Sequence, residues 1–426
     1  MKSIYIVIQW FPPEHAPIGH MLLELGESLV KQGWDVTVIT GFPNHPRGIV
    51  FDGYKKRLFQ EETMEGVRIW RVFLHTSANR SYFHRILNFV SFTVNSSLCL
   101  LLRGKPDIIF APLQPLTQGA VLPLIAWFKK AKLVFNVQDL HPDAQINLGI
   151  LKNNLLIRLL KSLEKYSYLH ADGLSVICDD FRTHCTGKGT EEQRIAVLRN
   201  WIDLDEIRPA PRVNTFRTEL GLTEDNRVIL FAGTIGLASG AEVMLDVAER
   251  LAGDRHIRLV FVGEGESLPA LKEGARERKL DNMVFSPFQP REKLNDVQAI
   301  SDISIVTLRP NAEQMSVPSK VLGYMAAARP VLVAAANASE TARFVIESGT
   351  GIVVPPGDPE AIATAIRDLL GRPADMQAMG RNGRKFLEEN LTREHICKGY
   401  NDFFQKLLGP DTTGDADSSN KPGARH

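Results

Sequence analysis

Short runs of consecutive apolar residues recur along the chain and alternate with longer stretches in which apolar residues are spaced three and four positions apart. In the first half, the apolar runs occupy residues 4–9, 36–40, 67–72, 107–111, 133–137 and 173–177. Such runs predict buried strands, and the spaced pattern predicts helices, such as one over about 19–31 that Gly33 ends. Buried strands joined by helices indicate a parallel sheet that is covered on both faces.

A second alternation of the same kind follows a charged, proline-punctuated segment at 195–212. Its apolar runs occupy residues 228–233, 257–263, 283–287, 303–308, 331–335 and 351–357. Two successive halves of this kind predict an α/β protein with two Rossmann-like, doubly wound domains that face each other across a cleft. We expect the first domain at 1–203 and the second at 204–390, with a last helix at about 391–408 packing back on the first. The polar tail, 410–426, is expected to be disordered and dispensable.

The composition is that of a globular protein and argues against several classes of function. Of 426 residues, 44% are hydrophobic and 23% are charged. The formal net charge of +1 gives no sign of the excess of basic residues that is typical of nucleic-acid-binding proteins. The four cysteines form neither a C-x-x-C pair nor a zinc spacing, so we expect reduced, buried thiols in a cytoplasmic protein. The opening residues lack the basic lead and the cleavage site of a signal peptide and predict a buried strand instead.

The longest nearly apolar stretch, residues 86–102, is interrupted by four polar residues, Asn88, Asn95, Ser96 and Ser97. These residues and the short length of the stretch argue against a membrane span. Just before it, at 82–85, two aromatic residues are followed by a histidine and an arginine, as in a helix that lies in a membrane interface. Two interpretations therefore stay open for 82–102: an ordinary buried helix, or a peripheral contact with a membrane.

Three loops of the second half follow predicted strands and lead into helices, which is where doubly wound sheets bind ligands. Two of them, 231–240 and 262–267, are rich in glycine, and the third is 316–320. None matches a G-x-G-x-x-G or P-loop motif. In the third loop, Lys320 stands near the start of a predicted helix, the positive end of the helix dipole, where a lysine is mildly unfavourable. A solvated lysine is one interpretation, but beside two glycine-rich loops the pattern favours a lysine that helps to hold a phosphate-bearing ligand.

Between the first strand and about residue 390 the chain carries, in order, PPEHAPIGH, VQDLHPD, VLRNWID, FAGTIG, VFVGEGE, VPSKVLGYMAAARPV and GIVVPPGDPEAIATAI. This series resembles the retaining family-4 glycosyltransferases with the GT-B fold, in the branch that builds capsular, O-antigen and colanic-acid-type polysaccharides. The resemblance implies transfer of a sugar from a UDP- or GDP-linked donor, with retention of anomeric configuration, to an acceptor that is a glycan or is linked to a polyprenyl diphosphate. It also implies a cytoplasmic enzyme, peripheral on the inner face of the plasma membrane, that needs no cofactor and no metal.

The resemblance assigns roles to individual residues. The donor would be bound, mainly by the second domain, at Gly19, Gly233, Thr234, Gly263, Glu264, Ser316, Val317, Ser319 and Lys320. The residues expected to take part in catalysis are Lys320, Glu313, His141 and Asp139. In this scheme Gly233 and Thr234 lie near the phosphates, and the loop at 263–264 lies near the base. Lys320 would hold the leaving diphosphate, on which charge grows in the transition state.

Departures from the family pattern keep other functions open. Gly323 stands where many relatives have a glutamate for the ribose, and the segment after FAGT contains no basic residue. Gln138 and Asp139 replace a His-Asp pair, with His141 two residues further on. One alternative is a nucleotide-sugar epimerase on the same fold, although the paired carboxylates and histidines that it needs are not evident in the sequence. The other alternative is a non-catalytic partner subunit that kept the fold.

Overall fold

The computed structural model describes residues 1–14, 16–45, 47–55, 57–79, 81–310 and 319–409. Within these ranges the first half forms the strands β1 Ser3–Val7, β2 Asp35–Gly41, β3 Phe59–Met64, β4 Val67–Val72, β5 Ile108–Pro112, β6 Lys132–Val137, β7 Gly173–Val176 and β8 Ile195–Val197. Its helices are α1 Pro17–Lys31, α2 Tyr82–Leu102, α3 Thr117–Lys129, α4 Asp143–Asn147, α5 Asn154–His170 and α6 Asp179–Gly187.

The described part of the second half repeats the alternation. Its strands are β9 Arg227–Ala232, β10 Ile257–Val262, β11 Met283–Ser286, β12 Ile303–Thr307, β13 Val331–Ala334 and β14 Gly351–Val354. Its helices are α7 Thr215–Glu219, α8 Val243–Arg250, α9 Leu268–Glu277, α10 Leu294–Ala299, α11 Lys320–Ala326, α12 Glu340–Glu347, α13 Pro359–Leu370, α14 Pro373–Asn390 and α15 Arg393–Leu408. The strand predicted at 351–357 stops at Val354, because the two prolines that follow cannot donate to a ladder.

The first sheet has the strand order β3-β4-β2-β1-β5-β6-β7-β8 in the described residues. Its strands pair in parallel except β3, which pairs antiparallel with β4. Two residues, Glu65 with φ 49° and Gly66 with φ 79°, turn the chain between these strands. Two positive φ angles fit the tight turns that match the twist of a hairpin. The sequence reading missed β3 because its residues, FQEETM, are half polar and contain no apolar run.

The second sheet has the order β11-β10-β9-β12-β13-β14, and its strands pair in parallel in the described residues. The chain therefore winds outward from β9 in one direction and from β12 in the other. At this reversal the loops beyond the carboxyl ends of β9 and β12 diverge and leave a crevice. The first sheet reverses in the same way between β1 and β5. The predicted α/β class, with two doubly wound sheets, is confirmed.

Helix α2 packs along the first sheet. Its residues Phe92 and Leu100 are fully buried. The Ser91 hydroxyl accepts the backbone N–H of His75 at 2.7 Å, and the Asn88 amide donates to the His75 carbonyl at 2.7 Å. Within the described ranges, one helical stretch, Phe83–Leu102, is long and apolar enough to cross a membrane by length and composition, and a third of it is buried in the protein.

The last helix, α15, packs on the first sheet although it follows the second in sequence. Its Tyr400 hydroxyl accepts a hydrogen bond from Asn136 of β6 at 3.1 Å, and Asn401 accepts one from the Trp34 indole at 2.8 Å. Phe404 is fully buried, with its ring centroid 5.3 Å from that of Phe110 in β5. The domain boundaries at 203 and 390 stay predictions, and the predicted tail at 410–426 lies outside the described residues.

Candidate active site

The side chain of Lys320 lies against the end of β9, at the crevice of the second sheet. Its Nζ is 3.6 Å from the centroid of the Phe231 ring and donates to the Thr234 carbonyl at 3.4 Å. A Cβ placed on Gly233 would lie 3.5 Å from Lys320 Cε. The structure therefore brings together Lys320, Gly233 and Thr234, which the sequence reading placed around the donor diphosphate. Glu313, Ser316 and Val317 lie outside the described residues.

Tyr324 fixes the direction of Lys320. The two residues are four apart on α11, so they share one face of the helix. The Tyr324 hydroxyl is fully buried, where it accepts the N–H of Ala232 at 2.8 Å and donates to the Ala232 carbonyl at 3.2 Å. These bonds hold α11 against the last residue of β9. Ser319, which precedes the helix, is exposed.

The environment of Lys320 disfavours the charged form of its amine. The residue as a whole is half-buried, but the protein around Nζ is dense enough that burial lowers the pKa of Lys320 to about 7. Within the described residues its contacts are a carbonyl and an aromatic face, with no carboxylate to neutralise it. An anion that enters this crevice supplies the missing countercharge and favours the protonated form.

Two loops of the crevice approach each other so closely that they require glycine. Gly263 has φ +151°, and a Cβ there would lie 2.0 Å from the Gly233 carbonyl oxygen. The Gly233 N–H donates to the Val262 carbonyl at 2.8 Å, and the Ile235 N–H donates to that of Glu264 at 2.8 Å. The structure thus places the predicted loops at 233–234 and 263–264 side by side. The Glu264 side chain is exposed.

Arg309 is a second cation at this crevice, and the sequence reading missed it. It follows β12, and its backbone N–H donates to the Ala238 carbonyl in the glycine-rich loop at 3.0 Å. Its guanidinium forms an ion pair with Glu242. The available signal was its position as the first basic residue after a predicted strand. That signal becomes informative only once β9 and β12 are known to be neighbours.

Asp139 and His141 belong to a polar cluster beyond the carboxyl end of β6. Gln114, which follows β5, donates to Asp139 Oδ2 at 2.9 Å and also contacts His141 Nε2. His141 Nε2 is 3.9 Å from Asp139 Oδ2, so Gln114 connects the two. On the other side of the ring, the Gln145 amide lies 2.5 Å from Nδ1. The Gln145 Oε1 is buried without a hydrogen-bond partner in the described structure, and with the amide group turned by 180° this oxygen accepts a hydrogen bond from His141 Nδ1–H.

A buried carboxylate shapes the loop after β1. Glu14 is fully buried and accepts backbone N–H groups of Phe11 at 3.0 Å, Asn44 at 2.8 Å and His45 at 2.7 Å. Burial raises the pKa of Glu14 to about 7. Gly19 closes the same loop, since a Cβ there would lie 2.6 Å from the Trp10 carbonyl oxygen.

Residues of α1 also contact the second half. His20 accepts a hydrogen bond from the Arg291 guanidinium at 2.9 Å, and Arg291 donates to Glu206 at 2.7 Å. The Trp201 indole donates to Glu24 at 2.7 Å, and burial raises the pKa of Glu24. The start of α1, which includes Gly19, is therefore held next to the second half, and the donor contact expected of Gly19 stays a prediction.

Gly323, which stands where many relatives have a glutamate, is tightly packed on one side. A Cβ on Gly323 would lie 3.2 Å from the Gln298 amide nitrogen and 4.0 Å from Ile202. Gly323 is thus buried on the side of α11 that packs against α10 and the connecting segment. A side chain at this position would require the Gln298 amide to shift by a few tenths of an ångström.

One group of side chains in the described residues has a spacing that suits a metal ion, namely Asp143, Glu164 and His184, whose ligand atoms lie within 4.8 Å of one another. Each carboxylate already has a lysine partner: Lys161 is 2.9 Å from Asp143 and Lys188 is 2.9 Å from Glu164. These ion pairs compensate the negative charge that would attract a cation. The group is an ion-pair network between α4, α5 and α6.

Two family models match the chain, one in each half. Residues 18–201 match the glycosyl transferase 4-like domain, and residues 213–386 match the glycosyl transferases group 1. Among the relatives, a protein named as the colanic acid biosynthesis glycosyl transferase WcaI of Escherichia coli (strain K12) is 27% identical over 399 residues, covering 92% of this chain and 96% of the relative.

Solved structures show the same fold at low identity. Sucrose-phosphate synthase from Thermosynechococcus elongatus superimposes with a TM-score of 0.73 at 17% identity, covering 96% of this chain and 99% of that one. Anabaena HepE in complex with UDP and glucose superimposes with a TM-score of 0.68 at 14% identity, covering 94% and 99%.

Two doubly wound sheets of this arrangement, together with the family models that match both halves, define the class: the protein is a GT-B glycosyltransferase. The chain belongs to the family-4 glycosyltransferases, in the polysaccharide branch that includes colanic acid and O-antigen enzymes. It is therefore a transferase, which agrees with the sequence resemblance and not with the epimerase alternative.

Proposed function

We propose that this glycosyltransferase moves a sugar from a UDP- or GDP-linked donor to a glycan acceptor carried on a lipid, with retention of anomeric configuration, in the synthesis of a surface polysaccharide. The reaction would take place on the cytoplasmic side of the plasma membrane and would need neither a metal nor another cofactor. The observation that carries the proposal is the Lys320 ammonium, which lies against Gly233 and Thr234 without a carboxylate partner among the described residues.

The chemistry of this crevice supports a diphosphate as its ligand. Breaking a sugar–phosphate bond leaves negative charge on the departing diphosphate, and a fixed cation stabilises that charge more in the transition state than in the ground state. Lys320 can supply one positive charge, and Arg309 would supply a second if a diphosphate replaced Glu242 as its partner, which would compensate for the lack of a basic residue in the loop after β9. HepE is described in complex with UDP and glucose, and a donor of the same chemistry suits this site.

The acceptor would bind over the first sheet, facing the donor. The cluster of Asp139, His141 and Gln114 offers a carboxylate, an imidazole and an amide at the carboxyl edge of that sheet. These groups can orient a sugar hydroxyl by hydrogen bonds without forming a covalent intermediate. Attack from the face that the diphosphate leaves would then give retention, with Lys320 holding the leaving group.

The test compares Lys320→Ala with the wild type. Loss of a charge partner in the transition state costs on the order of 10²–10³ in turnover. UDP and GDP should also bind more weakly to Lys320→Ala, whereas uridine and guanosine should bind unchanged, because only the diphosphates carry the contacted charge. Lys320→Arg should recover part of the activity at best. The anomeric proton of the product, read by NMR, reports retention or inversion.

A matched control is Lys272→Ala. Lys272 also places its Nζ over an aromatic ring, 5.8 Å from the centroid of Phe285, but it is an exposed residue of α9. Its removal should leave turnover and diphosphate affinity unchanged. Wild-type turnover in Lys320→Ala would remove the basis of the proposal, and tight donor binding without turnover in the wild type would point to a non-catalytic subunit.

A further inference from the structure

A cavity of about 40 Å³ lies between the two halves, next to the residue that precedes Lys320. The first half contributes Ile177, which follows β7, and the segment 199–200, which follows β8. The second half contributes Ser319, the start of α12 at 340–341 and apolar side chains of α11. A group the size of a water molecule needs about 10–15 Å³, so the cavity accommodates a hydroxyl or hydroxymethyl group.

Glu340 is the charged side chain that the second half places on this cavity. Its side chain is 8% exposed, and one carboxylate oxygen, Oε2, accepts a hydrogen bond from Arg343 at 2.8 Å. The other oxygen, Oε1, lies 3.1 Å from the Arg199 guanidinium, but it is buried and accepts no hydrogen bond within the part of the chain that the structure describes. Buried carboxylate oxygens are normally hydrogen-bonded, so Oε1 is available to a hydroxyl group that enters the cavity.

Thr341 offers a second group of this kind. The residue is 1% exposed, and its hydroxyl oxygen is buried without a hydrogen-bond partner among the described residues. Ser339, two residues earlier, differs because its hydroxyl accepts the N–H of Ala342 at 3.2 Å and so caps α12. The Thr341 hydroxyl makes no such bond, so no contact in the described protein offsets the cost of burying it. Glu340 and Thr341 therefore leave polar groups available beside one cavity.

The connecting segment forms the wall that faces the first half. The Arg199 guanidinium lies 5.4 Å from the centroid of the Phe344 ring and faces Glu340. Asn200 and Gln138 exchange two hydrogen bonds, at 2.9 and 3.1 Å, and the loop of Gln138 continues into the polar cluster beyond β6. The cavity thus lies between that cluster and the start of α11.

The cavity also has the right position for the sugar of a donor. The loops beyond β10 and β9 contain 263–264 and 233–234, where the base and the diphosphate are expected, and the side chain of Lys320 at the start of α11 reaches the second loop. The next strands along the same edge are β12 and β13, and α12 follows β13. A nucleotide-sugar that lies along this edge, with its diphosphate at Lys320, would place its sugar toward Ser319 and the cavity.

We propose that this cavity binds a hydroxyl group of the transferred sugar, and that Glu340 and Thr341 thereby select the donor. The Glu340 carboxylate would accept a hydrogen bond from that hydroxyl, and the Thr341 hydroxyl would donate one to it. A sugar that lacks this hydroxyl, or carries it in the other configuration, leaves the buried carboxylate oxygen unpaired, and such sites reject such analogues strongly. The inference rests on the proposed function, because it assumes a nucleotide-sugar donor.

Thr341→Val is the sharpest test, because the exchange keeps the shape of the side chain and removes no hydrogen bond between described residues. Calorimetry measures the binding of UDP-glucose, UDP-galactose, UDP-N-acetylglucosamine and GDP-mannose, together with UDP and GDP. The nucleotide-sugar that the wild type binds best should bind about tenfold more weakly to Thr341→Val, the loss expected for one hydrogen bond. UDP and GDP should bind unchanged, and the unfolding free energy should not fall.

Glu340→Gln should weaken binding of the same nucleotide-sugar by at least about tenfold and reduce the preference for it over the other three. Asp180→Asn is the control for the ion pairs: Asp180 is 2.6 Å from Arg343 and links α6 to α12, but it does not line the cavity. Thr350→Val is the control for the hydroxyl, since Thr350 is also fully buried with an unpartnered hydroxyl among the described residues and lies outside the cavity. Both controls should bind all of these nucleotides like the wild type.

Wild-type affinity and wild-type sugar preference in Thr341→Val and Glu340→Gln would overturn the proposal. An equal loss for UDP and GDP, or the same loss in Asp180→Asn, would also overturn it, because Glu340 would then act in the contact between the halves. A loss confined to the KM for a glycan acceptor would contradict the assignment to the donor. These outcomes are distinct from failure of the proposed function, which would appear as wild-type binding of UDP and GDP by Lys320→Ala.

Discussion

At the scale of the residue, Lys320 should take up a proton when the donor binds. With a pKa of about 7 in the unliganded protein, this lysine is mostly neutral at pH 8. A bound diphosphate favours the charged form and raises the pKa, so binding at pH 8 should absorb close to one proton. At pH 6 the lysine is already charged and the uptake should vanish. Calorimetry with UDP and GDP in buffers of different ionisation enthalpy measures this number.

Lys320→Met is the control for that titration, because it keeps the aliphatic stem over Phe231 and removes the amine. Its proton uptake should be near zero at both pH values. The same lowered pKa has a consequence for stability: the unliganded wild type should gain stability, relative to Lys320→Met, as pH rises from about 7 toward the ordinary lysine range. Equal uptake in the two proteins would mean that another group titrates.

The residues expected to bind the donor could be identified from the sequence, whereas other polar residues of the candidate site could not. Lys320 stands out in the sequence because its place at the start of a helix conflicts with the helix dipole, and the glycines at 233 and 263 stand out because they lie in glycine-rich loops after predicted strands. Nothing in the sequence around Arg309, Gln114 or Glu14 marks these residues as unusual for their positions. They become candidates only through the adjacency of β9 with β12, of β5 with β6 and of β1 with β2, and strand order is set by packing between distant segments.

At the scale of the element, the glycine-rich loops after β9 and β10 respond differently to substitution by alanine. We expect Gly263→Ala to lower both stability and ligand affinity, and Gly236→Ala to change neither. Gly263→Ala places a methyl group 2.0 Å from the Gly233 carbonyl at φ +151°, so the loops must separate. We expect a loss of about 1–3 kcal/mol in unfolding free energy and a marked loss of UDP or GDP affinity. Gly236→Ala, at φ −96° with its nearest neighbour a side-chain atom at 3.7 Å, should be tolerated.

Chemical denaturation measures the unfolding free energy of the two glycine variants, and calorimetry measures their affinity for UDP and GDP. If Gly263→Ala kept both its stability and its affinity for the diphosphates, the close approach of the two loops would be unimportant for the site. Loss of affinity in Gly236→Ala at unchanged stability would instead place the ligand against the other side of the loop after β9.

The elements themselves were largely predictable, with two instructive exceptions. Buried parallel strands such as β9 and β10 consist mostly of apolar residues, because helices cover both faces of the sheet. Edge strands carry a weaker signal: β3 is half polar because one of its faces meets solvent, and β8 has three residues that are all half-buried. Helix α2 was correctly predicted as a helix, but periodicity alone could not tell which of its apolar faces the sheet would cover.

At the scale of the whole molecule, the last helix makes the stability of the first half depend on residues at the far end of the chain. Helix α15 buries Tyr400, Phe403 and Phe404 against the first sheet, and Phe404 packs between Phe110 and Trp34. Removing such a buried ring leaves a cavity, so Phe404→Ala should lower the unfolding free energy by about 3–5 kcal/mol. Hydrogen exchange should rise first in β1, β5 and β6, which lie near this contact, and not in the second sheet. As a control, deletion of 410–426 should leave the denaturation midpoint and the activity unchanged. A loss below about 1 kcal/mol in Phe404→Ala, or faster exchange confined to the second sheet, would show that α15 does not stabilise the half on which it packs.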